Sequence, residues 1–285
     1  MNQNCLVLAT LVRYQSMVRD TLEYALERES YDVNVYNTKK AAIIAELDNN
    51  TPLKSFIENN GENGQKFEAQ IREFHETVYG EGSTILKLAN DGLRVDHAQH
   101  IAIFKGVIPV HETVASLING YIADAKSKNL DVAAGEKAAI AEERFYRGVC
   151  FLTLSQNLVK LFNDYNNARR EANGAETAAS RFIGNDISEI VRLINEVMNA
   201  SRLTDERYWG AADKLNLLVH YMTGRRALPM GKGMGEAIRE CQDGIAGFVR
   251  EVEQDFHAIV DPFMQEFIAD VQAQAAAAGQ APAAN

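Results

Sequence analysis

At 285 residues, 46% hydrophobic and 24% charged, the chain has the make-up of a soluble globular protein, long enough for one large domain or two ordinary ones. Five prolines leave room for long uninterrupted helices and argue against a strand-rich fold with many turns. The formal charge is −10, and the largest basic groups are pairs, Arg169–Arg170 and Arg225–Arg226 among them, so the concentrated basic face of a nucleic-acid binder is missing.

The opening "MNQNCLVLATLVRYQ" has a short apolar run without a basic flank, which is not the pattern of a signal peptide. No apolar run nears the roughly 18–20 residues needed to span a bilayer, so a cytoplasmic protein is expected. Helical periodicity dominates from the start. Val7, Leu11, Tyr14, Val18, Leu22 and Ala25 recur at spacings of three and four and predict a helix over 3–29.

Ile43, Ile44 and Leu47 suggest a second helical segment, and Thr51 followed by Pro52 reads as a fresh helix start. "NNGENG" at 59–64 reads as a loop, followed by a helix carrying Phe67, Ile71, Phe74 and Val78. Residues 84–127 are mostly helical, with Pro109 predicting a kink through loss of its backbone bond to residue 105.

Residues 134–172 form the clearest segment. Phe151, Leu154, Leu158, Leu161 and Tyr165 draw one stripe; Phe145, Val149, Leu152, Val159 and Phe162 draw another. Two apolar faces predict packing on two sides, and hence the central helix of the bundle. "DISE" at 186–189 reads as a capping box opening the next helix, and Thr204 as the cap of the one ending at Gly224. The last long helix starts near 235, carries Ile238, Cys241, Ile245, Phe248, Val252, Phe256, Ile259, Phe263 and Phe267, and meets a bend or restart at Pro262.

"RRALPMGKGMGE" at 225–236 has the glycines of a phosphate-cradling loop, but it follows a helix instead of a strand and lacks the Lys-Ser/Thr of that motif. Glu236 and Glu240 in the next helix's first turns repel an anion, so the stretch reads as a helix–helix connection. Arg225, Arg226 and Lys232 are the residues that would hold an anion there.

For a metal, "VDHAQH" at 95–100 offers Asp96, His97 and His100 as weak candidates, because i,i+3 and i,i+4 pairs share a helix face. His111 lies roughly 16 Å further along such a helix, so no complete ligand set is visible and no metal is expected. Glu-x-x-His does not occur, which argues against a di-iron carboxylate bundle. No Gly-x-Ser-x-Gly elbow is present, and no catalytic residue is assigned. Glu142–Glu143, Asp205–Glu206 and Glu251–Glu253 read as solvated helix faces in preference to acid–base pairs. Cys5, Cys150 and Cys241 are far apart and flanked by apolar residues, which suits buried thiols.

The expected fold is all-α, an elongated bundle of about six to eight helices. One domain is expected over 1–271, with a subdivision near 129–134 as an option, followed by a flexible Ala/Gln-rich tail over 272–285. Long amphipathic helices with no declared chemistry point to a non-enzymatic structural or protein-interaction protein, self-association being one form of it. The alternatives are a membrane-active, pore-forming-like helical protein and a ligand-binding or enzymatic bundle with a site between helices. No cofactor and no nucleic acid are expected; the expected partner is a protein or a second copy, and a membrane is the weaker choice.

Overall fold

The structure is a computed structural model that describes residues 3–26, 97–200 and 203–279, with scattered positions between 54 and 73. The fold is all-α, and the described residues contain no strand. Its long helices are α1 (Gln3–Leu26), α2 (His97–Ser127), α3 (Ala133–Glu171), α4 (Ala178–Ala200), α5 (Glu206–Met222) and α6 (Met234–Gly279). α6 runs through Gly279, into the Ala-rich tail, and the last residues, 280–285, lie outside the described residues. The expected helical segment around 43–47 and the Thr51–Pro52 start also lie outside them. In the expected loop at 59–64, the described residues Asn59, Gly61 and Glu62 are helical instead. Gly61 has φ 52°, a left-handed turn that glycine adopts without steric cost, so the break is narrower than six polar residues implied.

Two compact units are present. The first comprises Met1–Asn90, Val110–Glu143 and Asp255–Asn285; the second comprises Asp91–Pro109 and Arg144–Gln254. Helices α2, α3 and α6 each contribute residues to both. In the first unit the N-terminal half of α1 is enclosed on all sides, since every residue from Cys5 to Val12 is buried. The predicted stripe of Val7, Leu11, Tyr14, Val18 and Leu22 is therefore only part of its core face. Close approach of α3 to α1 depends on Gly135, where an added methyl would lie 2.6 Å from Leu8 Cδ1.

In the second unit the first stripe of α3 is buried through Phe151, Leu154, Leu158 and Leu161. The second stripe is covered at Phe145 and Val149 but only half-buried at Leu152, Val159 and Phe162. Every residue of α3 from Phe145 to Phe151 is buried as well, so the segment read as central is enclosed on all sides over two turns, as Cys5–Val12 of α1 is. Two stripes on one helix say that two faces are apolar, not that a neighbour reaches along both.

Helix ends follow local chemistry. α4 begins eight residues before "DISE", at Ala178, and its box is Thr177–Ser180. Thr177 Oγ1 accepts the Ser180 N–H at 3.1 Å and Ser180 Oγ accepts the Thr177 N–H at 2.9 Å. Asp186 and Glu189 lie mid-helix, where intrahelical bonding already uses the N–H groups a cap would need. For α5 the cap is Asp205, one residue after Thr204, with its carboxylate accepting the Arg207 N–H. Pro109 and Pro262 both sit inside continuous helices.

Candidate functional site

The connection at 223–233 is a helix–helix turn. Gly224 has φ 70°, the left-handed cap that ends α5, and the N–H groups of Arg225 and Arg226 donate to the His220 carbonyl at 2.9 and 3.2 Å. Arg225 and Arg226 are exposed, while Lys232 is ion-paired to Glu240. The acidic side chain that repels an anion has therefore engaged the nearest cation. His100 Nδ1 lies 2.6 Å from Asn157 Oδ1 and is half-buried. His97 is the first residue of α2, and Asp96 lies outside the described residues. Among the described residues no three His, Cys, Asp or Glu side chains group to hold a metal.

The densest polar constellation is one the sequence reading set aside. Glu142, expected on a solvated face, is 0% exposed within the first unit, and Glu143 is mostly covered. The reason is that α3 turns these carboxylates toward α1, which carries Gln15, Ser16 and Arg19 on the facing side. Arg19, 5% exposed, donates from Nη1 to Glu142 Oε2 at 2.8 Å and from Nη2 to Asp20 Oδ1 at 3.0 Å. Its guanidinium carbon lies 4.4 Å from the centroid of the Phe256 ring of α6, a cation–π contact strengthened by burial. Ser16 Oγ donates to the same Glu142 oxygen at 2.9 Å.

Beside this pair, Gln15 Nε2 donates to Glu143 Oε2 at 3.2 Å, and fully buried His111 of α2 places Nε2 3.5 Å from that oxygen. Gln15 Oε1 is enclosed without a hydrogen-bond donor among the described residues. Four helices thus converge on one enclosed charge cluster. Its chemistry is charge balance: a guanidinium and a hydroxyl give Glu142 the hydrogen bonds that water would otherwise supply. One signal of this cluster was legible in the sequence. Gln15, Ser16 and Arg19 follow closely on a nearly all-apolar run, Cys5–Val12, which places them near the buried end of the helix.

A second network ties the second unit. Asp205, beyond capping α5, lies 3.0 Å from Arg144 Nε on α3 and 3.0 Å from Arg207 Nη2; Arg207 in turn approaches Glu251 on α6 at 3.9 Å. Burial works to raise the Asp205 pKa, but hydrogen bonds from Arg207 and the charge of Arg144 bring it below the ordinary carboxylate value. Arg147 is fully buried and donates to the Val197 carbonyl at 3.0 Å. Tyr208 fills the centre, with ring centroids of Phe151 and Phe248 at 5.3 and 6.3 Å, while neighbouring Trp209 is half out in solvent.

No known family, curated protein or solved structure matches this chain.

Proposed function

We propose that this protein works without catalysis, as a helical-bundle protein that binds protein surfaces, a second copy of the chain being the first partner. The observation that carries this is Phe182 near the start of α4, which stands 63% exposed. Ile183 and Ile187 beside it, and Val159, Phe162 and Tyr165 on α3, are only half-buried. The two stretches adjoin: a methyl on Gly184 would lie 3.8 Å from the Tyr165 ring. Covering Phe182 contributes up to about 1.5–3 kcal/mol, and each half-buried neighbour correspondingly less. The non-catalytic part is supported by the hydrogen bonds that engage the buried carboxylates, Glu142 with the Arg19 guanidinium and Glu143 with the Gln15 amide. Three buried free thiols suit a reducing, cytoplasmic setting.

The test is light scattering over a concentration series, alongside Phe182→Asp. Wild type should gain mass with concentration, and the variant should stay monomeric with unchanged circular dichroism. A wild type that remains monomeric throughout, and recovers no protein partner in pull-downs, removes the reading.

One observation favours a second reading. Within the stretch His100–Ser127 of α2, an 18-residue window with mean hydropathy 1.5 is apolar enough to cross a membrane by length and composition; half of that window is buried. Polar residues such as His111 and Glu112 interrupt the run without lowering its average below that of a span. Dye release from vesicles would support a membrane-active protein, and intact vesicles would exclude it.

A further inference from the structure

The connection between α5 and α6, residues 223–233, is the longest non-helical stretch within 97–200 and 203–279. The shorter turns are tied by side chains. Asp131 Oδ1 accepts the Ala133 N–H, Arg169 donates to the Gly174 carbonyl, and Thr177 and Ser180 bond reciprocally. In 223–233 the backbone bonds gather near the two ends, at the His220 and Pro229 carbonyls. Arg225, Arg226, Ala227, Pro229 and Met230 are all exposed, and among the described residues neither guanidinium has a carboxylate partner. Lys232, the other cation of the loop, is held by Glu240.

We propose that this loop is an endoproteolytic processing site for a protease of trypsin-like specificity, cut between Arg226 and Ala227. Such a protease needs a basic side chain reaching into its acidic pocket and several residues of accessible, extended backbone on either side. Extension here requires only that Arg225 and Arg226 release the His220 carbonyl, an opening confined to the loop. Gly224 and Gly231, with φ 70° and 81°, supply pivots at either end.

Hydrolysis adds one water across the bond. The Arg226 carbonyl carbon gains the oxygen and becomes a carboxylate, and the Ala227 nitrogen leaves as an ammonium, with no redox change. The cut chain stays folded, because α6 is held within the second unit by side chains. Phe248 packs edge-on to Tyr208, and Gly148 admits Val249 and Val252, to whose Cγ2 atoms an added methyl would come within 3.2 and 3.4 Å. The cut removes the tether between α5 and α6 and leaves their packing.

The test is brief digestion of the native full chain with trypsin, followed by intact mass measurement and gel filtration. An early fragment pair should appear, one ending at Arg226 and the other beginning at Ala227, and the two should co-elute. Arg225→Gln/Arg226→Gln should slow that cut by roughly a thousandfold at an unchanged melting temperature, since the pocket's charge loses its counterpart. Arg226→Lys and Lys232→Gln should both retain it. The proposal fails if the Arg226–Ala227 bond survives while half of the chain is consumed elsewhere, if its cutting rate follows global unfolding, or if the fragments separate without denaturant.

Discussion

Glu142 shows what a single enclosed carboxylate does to this molecule. Its partner Arg19 cannot regain water without moving α1, so Glu142→Leu leaves a buried cation with only the partly exposed Asp20 to balance it. The variant should lose about 3–5 kcal/mol of unfolding free energy in urea titration. Arg19→Met/Glu142→Leu should recover most of that loss, because an apolar pair needs no counter-charge. A single variant within about 1 kcal/mol of wild type would show that the cluster is hydrated. Cys241 tests enclosure from another side. Burial pushes its thiol up to about 12, against a weak opposing pull from the charge of Lys214. With so little thiolate, it should resist alkylation at mildly alkaline pH and react once denatured. That the cysteines would be buried was legible from their apolar neighbours. That Glu142 would be buried was not, since adjacent glutamates on an amphipathic helix usually face water.

Glycines separate the elements that need close approach from those that do not. Sequence leaves two accounts of Gly244 and Gly247 inside α6: a close neighbour, or local looseness. At Gly244 the Lys214 side chain of α5 lies across the backbone, with an added methyl only 2.5 Å from its Cδ. At Gly247 the nearest atom is 4.0 Å away, at the tip of Arg250. Gly247→Ala should therefore stabilise the fold by about 0.5–1 kcal/mol, the ordinary helix preference. Gly148→Ala, which meets Val249 Cγ2 at 3.2 Å, should destabilise it in the same thermal melts.

Glu189 links elements electrostatically. Hydrogen bonds from Arg192 and then Lys105 of α2 hold its carboxyl down to about 2, from an ordinary 4.5. A depressed folded pKa means that its stabilisation is present above the unfolded value. It is lost as pH falls from about 4.5 toward 2. Melting temperature should fall less steeply across that window in Glu189→Gln than in wild type. An identical slope in the two proteins would show that the pair is screened away. The cap of α4 illustrates why element boundaries were harder to read than element existence. Asp-Ile-Ser-Glu and Thr-Ala-Ala-Ser both place a polar side chain three residues before another, and only the backbone path decides which one finds free N–H groups.

For the whole molecule, the charge of −10 opposes contact between two copies while the apolar α3–α4 surface favours it. Added salt screens the first effect and spares the second. Self-association through Phe182 should therefore strengthen from low to physiological ionic strength. Association that weakens with salt would point to an ionic interface instead. By itself the sequence determined that the chain is helical, approximately where its long helices run and which stripes of α6 and α3 are apolar, because burial against any neighbour demands the same three-and-four spacing. Tertiary structure alone decided that Cys5–Val12 of α1 is buried all round, that Arg19, His111 and Glu142 share one enclosure, and that the α3–α4 face is left half-covered. Periodicity records which face of a helix avoids water, whereas the distance to the next helix, and the charge that helix brings, depend on how the chain returns to it.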